Sequence, residues 1–141
     1  MGEQALAIAA EPEDPRRLSC AVLQATDMLG LYRAELARIL GFRCADVGQL
    51  ASGQRCLERG SMAWWRAQGY LRLYRALHEL HGGDRAAMFH WLRIPHPELG
   101  GVPHLLLVDD GRLSVVLHYL RRRLRQARDA TVAVPKTAAR T

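Results

Sequence analysis

The 141-residue chain has little that offers reactive chemistry. Its three cysteines, Cys20, Cys44 and Cys56, are odd in number and lie in no C-x-x-C spacing, which argues against a disulfide framework or a zinc site. No apolar run approaches the roughly 20 residues that cross a bilayer, and the start lacks the basic region and long apolar stretch of a secretion signal. A cytoplasmic protein with no membrane partner is expected. G-x-S-x-G and H-E-x-x-H are missing, as is any local Cys–His signature, so no catalytic residue, metal or cofactor is expected and the chain does not read as an enzyme. Period-two alternation is missing too. Apolar residues recur instead at three and four, so the fold class should be all-α.

Positive charge is abundant and oddly made. The net charge is +6, and of 20 basic residues only Lys136 is a lysine. Arginine suits phosphate and carboxylate through its planar fork of donors. Residues 1–15 hold Glu3, Glu11, Glu13 and Asp14 without a basic partner, whereas six Arg and Lys136 follow from Arg121 onward against Asp129 alone. Nucleic acid or an acidic protein fits such a balance.

Four segments follow from the patterning. Residues 1–16, with E-P-E-D-P, read as a disordered leader. Residues 17–60 form a first module, with Ser19 expected to cap a helix ending near Leu29 before Gly30. Residues 61–128 begin with a long helix from Ser61 to His81. On it Trp64, Ala67, Leu71, Tyr74 and Leu77 make one apolar stripe, and Trp65, Leu73, Ala76 and Leu80 a second. Gly82-Gly83 ends that helix, Asp84 caps a short one through Leu92, and Pro103 opens another containing Leu105, Leu106 and Leu107. Asp110-Gly111 turns the chain into a last helix over Leu113–Leu124. Residues 129–141 read as a flexible tail.

Within the first module, LYRAELARILGFRCADVGQLASG places Leu36, Ala37 and Leu40 on one helical face. Gly41 can then leave the helix with positive φ, and Val47 and Leu50 follow at i, i+3. Two short helices about a Gly turn have the form of a helix-turn-helix. The run AELARILG with Val47, Leu50 and Gly53 resembles the Xre/phage-repressor class. In that reading Arg33 meets phosphate at the start of the first helix. Arg43, Cys44, Ala45 and Gln49 face DNA from the second, Arg43 and Gln49 being the side chains suited to base edges.

Downstream, WLRIPHPELGGVPHLLLVDDGRLSVVLHYL is similar to the toxin-binding domain of the Xre/MbcA/ParS antitoxin family, whose usual form is close to WL-x-x-PNP-x-LGG-x-x-P. His96 replaces the usual Asn. Together the two motifs cover roughly residues 18–122. The resemblance implies an antitoxin of a bacterial type II toxin–antitoxin pair, forming a homodimer within a hetero-oligomer. Its partner would be a RES-domain enzyme that consumes NAD⁺, or an ADP-ribosyltransferase, blocked sterically at its active site. Repression of its own operon through operator DNA is also implied. Toxin contacts would fall on Pro97, Leu99, Gly100, Gly101, Pro103 and Leu106, and on Arg121, Arg122 and Arg125 of the last helix. The alternative is a stand-alone helix-turn-helix regulator without a toxin.

Other constellations have plainer readings. The spacing of Trp64, Trp65, Tyr70 and Tyr74 favours packing over base stacking. His78 and His81, with Asp84 and His90 nearby, read as surface groups rather than metal ligands. The Leu99-Gly100-Gly101 turn lacks the strand and the Lys of a phosphate-binding loop.

Overall fold

The computed structural model describes residues 13–140, with side chains through residue 131. Seven helices account for the architecture among the described residues, and the fold is all-α. They are α1 (Pro15–Leu29), α2 (Arg33–Leu40), α3 (Cys44–Ser52), α4 (Met62–Leu80), α5 (Arg85–Arg93), α6 (Pro103–Val108) and α7 (Leu113–Arg140). An isolated bridge between His96 and Gly101 is the β-type pairing the turn contributes.

Helix α1 begins earlier than the sequence suggests. Asp14, not Ser19, is its cap, accepting a hydrogen bond from the Arg17 N–H at 3.1 Å, and Pro15 takes the first helical position. Ser19 lies buried one turn in. Its Oγ donates to the Pro15 carbonyl at 2.7 Å and accepts from the Leu57 N–H at 3.1 Å, which pins the segment between α3 and α4. Residues 13–16 therefore belong to the folded body, and the rest of the expected leader lies outside the described residues. Leu18, Ala21, Val22, Ala25 and Leu29 are all buried, as their 3–4 spacing requires.

Helix α4 is the spine. Ser61 Oγ accepts from the Trp64 N–H, and the helix packs against α1, α2, α5 and α7. Trp64, Ala67, Tyr70, Leu71, Leu73, Tyr74, Ala76 and Leu77 are buried along it. Trp65 departs from expectation: it is 61% exposed. Among the described residues, no helix covers that side of α4. The indole instead flanks an open groove, which Ile39 of α2, Gly69 and Leu113, Leu117 of α7 also line.

The last helix is longer than its apolar pattern. Val116, Leu117 and Leu120 are buried and Leu124 half-buried, yet α7 continues to Arg140 instead of ending in a flexible tail from residue 129. Ala127 and Ala130 are strong helix formers, and Thr131 Oγ1 donates back to the Ala127 carbonyl at 2.9 Å. A helix can thus outrun its buried face. Buried side chains from Leu18 to Leu120 form one contiguous core, so the two modules read from the sequence share their interior. No helix among the described residues is long and apolar enough to cross a membrane.

Candidate DNA and partner surfaces

Helices α2 and α3 form the expected helix-turn-helix. Glu35 accepts from the Tyr32 N–H at 2.9 Å at the start of α2, and Gly41 closes it at φ 78°. Leu36, Ala37, Ile39 and Leu40 are buried, as are Val47 and Leu50 of α3. The outward face of α3 presents Arg43, Cys44, Ala45 and Gln49, all exposed, and Arg33 stands exposed at the first position of α2. The side chain of Arg43 is 89% exposed. All five residues are thus open to solvent.

Electrostatics at the start of α3 work against a bound phosphate. Asp46 accepts from the Arg43 N–H at 3.0 Å, and its second oxygen takes Arg55 Nη1 at 2.8 Å. The Arg43 N–H, aided by the Arg55 and Arg43 guanidiniums, holds the Asp46 carboxyl below its ordinary range. Arg55 also lies over the Phe42 ring, 4.8 Å from its centroid. A carboxylate thus occupies the first turn, where an anion would otherwise be drawn.

The segment between α5 and α6 is a built turn. His96 N–H donates to the Gly101 carbonyl at 3.0 Å, and the Gly100 N–H reaches the His96 carbonyl at 3.1 Å. Gly100 sits at φ 75°, a conformation that a Cβ disfavours. Beneath the turn, the His96 ring packs on Trp91 with centroids 4.5 Å apart, and Trp91 stacks on Tyr119 at 6.2 Å. His96 Nε2 is 3.0 Å from the Trp91 carbonyl oxygen, so the ring nitrogen donates there. His96 serves this turn as a bracket.

The expected partner residues divide into two kinds. Pro97 and Gly100 are exposed, and Leu99 and Gly101 are half-buried. Pro103 and Leu106 are buried and shape the turn from below. The three arginines also separate. Arg122 joins the turn, reaching Glu98 at 2.6 Å and lying 5.9 Å from the Tyr119 ring centroid. Arg121 and Arg125 face α4 instead, lining a groove of about 370 Å³ with Arg72, Arg75, Glu79 and Arg128.

No protein-family model matches this chain, and no curated protein matches it in sequence. Motif and geometry carry the functional reading.

Three contacts escape sequence reasoning. His104 of α6 bonds to Glu35 of α2, Arg38 of α2 pairs with Asp109 at 3.4 Å, and Glu98 pairs with Arg122. The first two tie the helix-turn-helix to the C-terminal turn. All three link residues more than 20 positions apart, and no local pattern announces such pairs. Arg72 and Arg75 carried a visible signal, an i, i+3 pair on a long helix, whose meaning depended on knowing that α7 lies beside it. Among the described residues, no group of three or more His, Cys, Asp or Glu side chains is arranged to hold a metal ion.

Proposed function

We propose that this chain is a bacterial antitoxin whose α5–α6 turn blocks the active site of a partner toxin, and which also binds operator DNA through α2 and α3. The observation that carries the reading is the exposed, internally braced turn around Pro97 and Gly100, held by His96, Trp91 and Tyr119 on the same body as a helix-turn-helix. A preorganised turn loses little conformational freedom on binding, which favours affinity. Glu98 and Arg122 offer a polar rim of both signs around it.

Inhibition in this reading needs no chemistry from the antitoxin. The turn and the exposed side of α7 cover the toxin's mouth, and substrate is excluded by bulk. The toxin class that fits the motif resemblance is an NAD⁺-consuming RES-type enzyme or an ADP-ribosyltransferase, encountered in the cytoplasm. An interface of about 1,600 Å² is sufficient for a stable complex. A homodimer would present two copies of α3 to paired half-sites. Weak base-reading chemistry on α3 makes the DNA half depend on Arg43 and Gln49.

Co-expression with the product of the adjacent reading frame tests the reading. Pro97→Trp, at an exposed position, is expected to lower toxin recovery on co-purification by roughly tenfold or more and to abolish growth rescue, with helical content unchanged. Full rescue by that variant rejects the turn as the contact. A neighbouring frame that encodes no toxic enzyme leaves the stand-alone regulator.

A further inference from the structure

We infer that residues 1–12, which lie outside the described residues, dock along α4 as an intramolecular strap and cover the Trp65 indole. The groove that would take them has a volume of about 630 Å³. Trp64, Trp65, Gln68 and Arg72 of α4 line it, with Arg59 and Gly60 from the segment before that helix. Glu13, where the described chain begins, lines it as well. Trp65 is 61% exposed, and Met62, one turn earlier on α4, is 65% exposed. Residues at i, i+3 are neighbours on a helix surface, so the two form an apolar patch, not an isolated side chain.

Position and composition name the occupant. Arg59 Nη2 donates to the Glu13 carbonyl at 2.9 Å, and the same guanidinium lies 5.7 Å from the Trp64 ring centroid. The chain is therefore held at the groove where residues 1–12 join it. Within them Ala5 to Ala10 read ALAIAA, with Leu6 and Ile8 the large apolar side chains. Ile8 and Leu6 stand five and seven residues before Glu13, a reach of up to about 17 and 25 Å for extended chain. The stretch of α4 from Trp64 to Arg72 is about 12 Å long at 1.5 Å per residue, so both side chains can lie along it. Tethering favours this occupant over a separate molecule. A short linker gives an effective concentration of about a millimolar, which populates an apolar contact too weak to hold two chains together. Charge points the same way. Residues 1–12 carry Glu3 and Glu11 and no Lys, Arg or His, whereas a second copy would bring a net charge of +6 to a groove that Arg59 lines.

The inference stands apart from the toxin and operator readings, and its test uses neither partner. Acrylamide quenching of the full-length protein reads Trp65, because Trp64 and Trp91 are only 5% and 7% exposed. L6D/I8D in the full chain is expected to raise the quenching constant by about twofold or more, as half occupancy of the groove or better requires, with helical content unchanged. In a W65F background the same two substitutions are expected to change nothing. W65A gives the view from the other partner: the Leu6 and Ile8 methyl resonances should lose their ring-current shifts and move to the positions of a free peptide. Wild-type quenching is expected to be independent of protein concentration from micromolar to near millimolar. Equal quenching in wild type and L6D/I8D overturns the inference, as do Leu6 and Ile8 methyl resonances that ignore W65A. Protection that grows with protein concentration also overturns it, in favour of a second copy on the groove.

Discussion

In the middle of α4, the Tyr70 hydroxyl meets Thr26 Oγ1 at 2.9 Å, and Thr26 donates its own proton to the Val22 carbonyl at 2.7 Å. Tyr70 must therefore be the donor of the pair. Burial pushes its pKa well above the ordinary phenol value, and burial raises Tyr74 as well. Above pH of about 10 the unfolded chain releases these protons while the folded chain keeps them, so stability falls as pH rises. Tyr70→Phe is expected to cost about 0.5–1.5 kcal/mol at neutral pH and to flatten the alkaline decline, with Tyr74 supplying the remainder. Urea midpoints from neutral to strongly alkaline pH measure both effects. His96 makes a related point at the other end of the chain. A histidine in an unexpected motif position acts through its ring packing and one hydrogen bond, which an Asn side chain would supply only in part.

At the scale of elements, α2 and α3 depend on their turn. Gly41 has φ 78°, and a Cβ there would lie 2.2 Å from Arg66 Nη1, the flexible end of a side chain that also reaches the Leu40 carbonyl at 3.4 Å. Gly41→Ala is expected to destabilise the protein by about 1–2 kcal/mol, most of it from the left-handed backbone. Gly48 is the opposite case. It lies inside α3 without positive φ, and a Cβ would meet nothing within 4 Å. Gly48→Ala is expected to stabilise by up to about 1 kcal/mol. Denaturant midpoints of the two variants should therefore move in opposite directions, and a fall in both would mean that α3 needs the bare backbone at position 48. Elsewhere guanidiniums finish helix ends: Arg85 and Arg93 of α5 donate to the Asp27, Leu29 and Gly30 carbonyls where α1 stops.

For the whole molecule, the division into an N-terminal and a C-terminal module does not extend to the interior. Side chains of α1, α2 and α3 share one core with those of α4 to α7, and His104–Glu35 and Arg38–Asp109 join the two at the surface. Unfolding should be one cooperative step. Leu120→Ala, a fully buried site on α7, is expected to cost about 2–5 kcal/mol. Amides of α2 and α3 should lose protection by the same amount, as read by hydrogen exchange under native conditions. Protection of α2 and α3 that survives this substitution would mean two independently stable units.

The helical class, the Gly41 turn, the Asp84 cap and the start of α6 at Pro103 were legible in the residues, because each follows from backbone preferences that act within a few positions. The buried stripe of Trp64, Ala67, Leu71, Tyr74 and Leu77 was legible for the same reason. Trp65 was not: its exposure depends on which side of α4 lacks a neighbour, and periodicity is silent on that. The cap of α1 was misplaced because Asp14 and Ser19 are both good caps, and Ser19 was claimed instead by Leu57, 38 residues away. The candidate site divides along the same line. Pro97, Gly100, Arg43 and Gln49, expected from the motifs at partner or DNA contacts, are exposed. Only the packing of α7 along α4 parted Arg122 from Arg121 and Arg125 and brought the latter to Arg72 and Arg75, because a helix's own period places charges on a face without saying what that face will meet.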